Sequence, residues 1–247
     1  MSALVTLTER VFRGTLRDFD LVLAVVVPVA TFVGFTLVLR DVINTGSMPY
    51  AQYVLPTIIM QTLLFGALTA ADRAARDASH GFGRRMLTMP MHTLVPLAAR
   101  MLYCLIRSAV VVVASIAIAY PFGFRLAGGV GYAVAFVLVI GVLTLALSLG
   151  ADAIGTRIKR IDASSQLLLI PILGLVLLST GMAPASAFPD WVEPFVRMQP
   201  VSVITGTLRG FTDGSVSSSS LAGTLAWCFG LLLVFGVIAA RSQRRAE

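Results

Sequence analysis

Residues 130–151 read VGYAVAFVLVIGVLTLALSLGA, 22 positions with no charged side chain. A helix rises 1.5 Å per residue, so about 20 apolar residues cross the ~30 Å hydrocarbon core of a bilayer. A surface helix of a soluble domain would keep one polar face. This run keeps none, and it predicts a membrane-spanning helix.

Five further stretches approach the same length and character, at 21–39, 50–71, 101–122, 167–182 and 221–240. The stretch at 167–182 is the shortest, and the polar turn before it is expected to extend it. Pro28, Pro56 and Pro171 fall inside spans. Each lacks a backbone donor and is expected to kink its helix. The predicted fold is an all-α membrane protein with six transmembrane helices, a single transmembrane domain over 1–247.

Composition agrees. Of 247 residues, 57% are hydrophobic and 13% charged, where a soluble domain carries about a quarter charged. The net charge of +7 does not point to nucleic acid, because the basic residues sit between apolar blocks and not on one arm or face. Cys104 and Cys228 fall in different spans, so no disulfide is expected. His80 and His92 have no cysteine between them, and neither a metal nor a cofactor is expected. The first twenty residues are too charged for a leader peptide, so no cleavage is expected.

Orientation follows from Lys and Arg in the flanks. With the N-terminus inside, fifteen basic residues face the cytoplasm and four, Arg40, Arg125, Arg197 and Arg209, face outward. Both termini are therefore expected in the cytoplasm, with the chain in the inner or plasma membrane.

Three segments lie between or before the spans. In residues 1–20, Leu4, Val11 and Thr15 follow one helical track and Phe12, Leu16 and Phe19 another, opposite Arg10, Arg13 and Arg17. That pattern suits an amphipathic helix at the membrane surface; an ordinary basic tail is the alternative. Residues 72–100 form a basic cytoplasmic loop in which Phe82, Met86, Leu87, Met89 and Met91 recur beside Arg84 and Arg85. An apolar, arginine-rimmed loop is what a docking partner needs; helix extensions that snorkel their arginines would give the same composition. Residues 183–220, outside, combine Pro184, Phe188, Pro189, Trp191, Pro194, Phe195 and Pro200 with little charge. Short helices dipping into the outer leaflet, a re-entrant segment before the last span, account for this.

The missing chemistry matters too. A P-loop needs Gly-x-x-x-x-Gly-Lys-Ser/Thr, and the single lysine, Lys159, follows Ile158. No hydrolase or metalloprotease motif occurs, and no enzyme activity is expected. Asp152 and Asp162 are expected to cap or flank helices. Ion-coupled transporters keep ionisable residues inside their spans. Here Arg107 is the one charge within the six stretches, and it is expected to snorkel to the surface.

Two motifs carry a resemblance. One is His80-Gly81-Phe82-Gly83-Arg84-Arg85-Met86-Leu87-Thr88-Met89-Pro90-Met91, closing with Arg100. The other is Ser179-Thr180-Gly181-Met182-Ala183-Pro184, then Pro189-Asp190-Trp191, Gln199-Pro200-Val201, Arg209-Gly210-Phe211 and Gly214. Together with the order of spans and loops, they resemble the type-2 ABC transporter permeases of the daunorubicin-resistance type, over nearly the whole chain. The family often has an acidic residue where Arg84 stands, and usually Asn where Gln199 stands.

The resemblance implies that Gly81, Phe82, Arg84, Arg85, Met86, Leu87, Met89 and Pro90 form a coupling helix seated on a separate ATPase. It implies that Pro184, Pro189, Trp191, Gln199, Pro200, Arg209 and Gly214 belong to the external re-entrant motif. Its implied partners are an ABC ATPase subunit and a second permease, identical or homologous. An apolar path suits a hydrophobic or amphipathic cargo, such as a lipid or a polyketide-like drug. An ion-coupled secondary transporter and a non-transporting membrane scaffold are the alternative classes.

Overall fold

The computed structural model describes residues 19–40, 48–79, 95–158, 161–181 and 188–244. Within them run eight α-helices: α1 (Asp20–Leu39), α2 (Tyr50–Ser79), α3 (Val95–Ala119), α4 (Val130–Ile158), α5 (Ile161–Leu177), α6 (Glu193–Met198), α7 (Pro200–Asp213) and α8 (Ser218–Arg244). A 3-10 turn, Tyr120–Phe122, ends α3. The protein is all-α, and α1, α2, α3, α4 and α8 are long and apolar enough to cross a membrane. Of the expected stretch at 167–182, α5 covers 167–177; its 17 residues begin at Ile161 and end at Leu177. The expected N-terminal amphipathic helix lies outside the described residues.

The helices overrun the apolar stretches that announced them. The apolar stretch in α2 stops at Ala71, yet the helix continues to Ser79. Residues 72–79 hold Ala74, Ala75, Ala78, Arg73 and Arg76, good helix formers, with no Gly or Pro. Likewise α3 starts at Val95, six residues before its apolar stretch. Both ends of the segment expected as a loop are thus helical.

The core sits on α2. In its most apolar window 67% of residues are buried, against 22% in α1 and 11% in α8. Its most extensive packing is against α4, which in turn packs against α8; α5 and α7 also lie on α2. At the α2–α4 crossing, Gly155 faces the Ala71 carbonyl so closely that a Cβ would collide with backbone. The missing side chain lets the two helices touch.

The outer helices bury one stripe each. In α1 the buried residues are Ala24, Pro28, Phe32 and Thr36, one per turn. Phe32 meets Phe122 edge-on, with centroids 5.9 Å apart. The remaining α1 face exposes Val22, Val26, Val27, Leu37 and Val38. A soluble protein would not leave such a face in water; lipid is the matching solvent. Pro28, Pro56 and Pro171 all lie inside continuous helices.

Candidate functional site

One end of the bundle is tied together by a polar clasp centred on Arg209. Amphipathic α7 buries Val201, Ile204, Leu208 and Phe211, a spacing of three and four that marks one helix face. Pro200 starts this helix, where a missing N–H costs nothing. Gly214 ends it at φ 74°, with its N–H on the Gly210 carbonyl. Gly214 also approaches Gly128 so closely that a Cβ on it would sit 2.9 Å from the Gly128 Cα. Ala127 N–H donates to the Thr212 carbonyl at 2.9 Å, fixing α7 against the α3–α4 turn.

From α7, Arg209 reaches across to α2 and to the turn after α5. Its Nε donates to the Tyr53 carbonyl at 2.9 Å and its Nη1 to the Thr180 carbonyl at 3.2 Å. Its Nη2 donates to Thr57 Oγ1 and to the Gly181 carbonyl, both at 2.9 Å. The planar guanidinium lies over the Tyr53 ring, 3.6 Å from the centroid. Five donors in a fixed fork suit such a set of acceptors, which lysine could not match. No carboxylate is among these partners, so the group acts as a hydrogen-bonding strut.

Gln199 completes the clasp. Its Nε2 donates to the Leu178 carbonyl and to Ser202 Oγ, and Ser202 accepts from the Thr180 N–H at 3.0 Å. Thr57 donates to the Gly181 carbonyl at 3.0 Å. Gly181 leaves no room for a side chain, since a Cβ would meet Thr57 Cγ2 at 2.6 Å. A further tie joins Gln52 Nε2 to Asp213 Oδ1.

Of the motif expected outside, the structure gathers Gln199, Pro200 and Arg209 by the end of α2, with Gly214 against Gly128 of the α3–α4 turn. Pro189 and Trp191 stay at the surface, Trp191 84% exposed beside exposed Phe195 and Met198. Pro184 lies outside the described residues. So do Gly81, Phe82, Arg84, Arg85, Met86, Leu87, Met89 and Pro90, the whole expected coupling helix.

The opposite end of α2 holds a second polar group that its sequence did not announce. Arg100 on α3 makes a two-pronged pair with Asp152 on α4, at 2.6 and 3.1 Å, with Asp77 of α2 at 3.7 Å. Asp152 is 1% exposed and lies within α4. It neither caps nor flanks the helix, as its place near the end of an apolar run suggested; it is a buried ion-pair partner. Arg107 is also corrected. Its side chain is 13% exposed and its Nε lies 3.5 Å from Asp20 Oδ2, so it turns inward to a partner. Arg73 binds the same oxygen at 2.6 Å and lies over the Tyr103 ring. The available signal was the acid that opens α1, Asp20, level with two arginines on α2 and α3.

Neither cluster holds an acid and a base poised for proton transfer. Among the described residues, no three His, Cys, Asp or Glu side chains gather to hold a metal.

Comparison with known proteins adds family context. The model of the ABC-2 type transporter family matches residues 2–211. The doxorubicin resistance ABC transporter permease protein DrrB of Mycobacterium tuberculosis is 33% identical over 192 residues, covering 75% of this chain and 66% of that protein. The chain thus spans just under two thirds of that relative's length. The probable doxorubicin resistance ABC transporter permease protein DrrC of the same organism is 27% identical over 242 residues, covering 97% of this chain and 87% of its own.

Proposed function

Because the chain belongs to the ABC-2 type transporter family, we propose that it is the membrane-spanning permease subunit of an ATP-driven exporter. The observation that carries this is the family match across residues 2–211, in a chain with five long apolar helices and no P-loop. Energy must then come from a separate ABC ATPase, and a second permease, identical or homologous, completes the pathway. Five long helices plus α5 make six spans in this reading. α6 and α7 form a re-entrant segment on the outer side, where exposed Trp191 suits the interface.

The cargo is hydrophobic or amphipathic, a lipid or a polyketide-like drug. Two relatives named for doxorubicin resistance make doxorubicin the first cargo to test. Residues 80–94 connect α2 to α3 and contain the apolar, arginine-flanked residues suited to docking the ATPase.

The test is co-expression with a partner ABC ATPase, followed by transport into inverted membrane vesicles. ATP-dependent doxorubicin or lipid uptake should require both chains. A permease that co-purifies with no ATPase and moves no lipophilic cargo on ATP addition would overturn the reading.

A further inference from the structure

Where α1 begins and α2 passes Arg73, helices α2, α3 and α4 enclose a cavity of about 30 Å³. A single water needs roughly 10–15 Å³ of this measure, so the space admits a larger group. Arg73 and Arg107 both line it. They share one carboxylate and even one oxygen of it, Asp20 Oδ2, at 2.6 and 3.5 Å, and the Tyr103 hydroxyl reaches the same oxygen at 3.5 Å. Among the described residues, two guanidiniums face this one carboxylate, which leaves one positive charge over. Nearby Asp152 is already engaged by Arg100.

The leftover charge has leftover donors. Arg73 Nη1 and Arg107 Nε are buried and have no hydrogen-bond partner among the described residues; the 3.5 Å approach of Arg107 to Asp20 is an ion contact without hydrogen-bond geometry. Ser108 Oγ, also on the wall, shares a hydrogen bond with Thr144 Oγ1 at 2.9 Å, and Thr144 also reaches the Ile140 carbonyl at 2.8 Å. Opposite, a Cβ on Gly66 would come within 3.0 Å of Arg107 Nη1, so glycine preserves the room around the guanidinium. An unpaired cation with unpaired donors is costly at membrane depth. An anion with several acceptor oxygens would satisfy both.

We infer that this cavity is an anion site that takes the phosphate of a membrane phospholipid. Depth favours a lipid over a free ion. Arg73 lies 23 residues along α2 from Tyr50, about 35 Å, close to the separation of the two headgroup layers. Beside the site, α1 and α3 expose Val22, Leu23, Val26, Leu102 and Ile106, a surface for acyl chains. The inference rests on the membrane reading and not on export, so a transport-inactive protein could still carry the lipid.

The test uses the full chain purified into nanodiscs holding equal fractions of phosphatidylglycerol and diacylglycerol, the second lacking phosphate. After delipidation, native mass spectrometry should find about one phosphatidylglycerol per chain and no diacylglycerol. Arg107→Gln should lower retention more than tenfold. Ser108→Val, which narrows the cavity and leaves both arginines, should do the same, with melting temperature reporting on folding. Inorganic phosphate should not displace the lipid. Equal retention of both lipids by the wild type, which needs no variant to fold, would overturn the site. Displacement by inorganic phosphate would overturn the lipid as its occupant, and full phosphatidylglycerol retention by a folded Arg107→Gln would remove the arginine from it.

Discussion

The guanidinium of Arg209 lies flat on the ring of Tyr53, 3.6 Å from its centroid, while its Nε donates to the carbonyl of the same tyrosine. One residue of α7 thus holds both the side chain and the backbone of α2. The remaining donors collect Thr57 and two carbonyls beyond α5, so three segments distant in sequence meet at one planar group.

Arg209→Ala would strip the Thr180 and Gly181 carbonyls of a donor in a partly buried setting. Each such loss costs about 1–3 kcal/mol. Arg209→Lys should recover little, because an ammonium neither stacks in the same way nor spans the four acceptors. Thermal unfolding in detergent should show both variants well below the wild type. A lysine variant with wild-type stability would mean that charge alone suffices.

The Arg100–Asp152 pair gives a second test, since neither member can be removed alone without leaving the other buried and without this partner. Asp152→Ala leaves a buried guanidinium whose remaining acid, among the described residues, is Asp77, 3.7 Å away. Loss of one partner of a buried pair costs about 3–5 kcal/mol. The double variant Arg100→Met with Asp152→Leu should regain most of that loss, because the charge imbalance is gone. Unfolding curves of the single and double variants decide it; a double variant no better than the single would assign the loss to packing.

For the ATPase contact, Phe82→Ala with Met86→Ala should weaken partner association while leaving membrane insertion intact. Losing a buried apolar anchor costs about 2 kcal/mol or more. Co-purification of the ATPase and detergent stability, measured together, separate a docking defect from misfolding. A folded double variant with full co-purification and transport would take residues 80–94 out of the coupling.

Topology is open to direct labelling. Single cysteines introduced at position 80 and at position 191 in a cysteine-free background should behave oppositely in intact cells. An impermeant maleimide should reach the second and spare the first. The reverse result would invert the orientation drawn from the fifteen-to-four distribution of Lys and Arg.

Much of this fold was legible because membrane helices carry their signal locally. The run 130–151 needs no partner to be recognised, and α4 contains it whole. Helix ends were less legible, since hydropathy marks where lipid stops and not where hydrogen bonding stops; α2 continues eight residues past Ala71. The site was harder still. Gln199, Arg209 and Gly214 stood in an ordered motif, yet their partners are mostly backbone carbonyls, which have no sequence signature. Tyr53 and Thr57 looked like ordinary members of an apolar span. Asp152 looked like a boundary residue because its partner, Arg100, is 52 positions away.

From Tyr53 to Arg73, α2 runs about 30 Å as a rod. At one end it is gripped by Arg209, at the other by Asp20 through Arg73. Tilt such a rod by about 5° about one grip and the other end swings roughly 2–3 Å, enough to part any hydrogen bond. The two grips therefore cannot both stay closed through a rocking of α2. Mechanically the helix is a beam fixed at both ends, and any stroke that moves it must first let go of one.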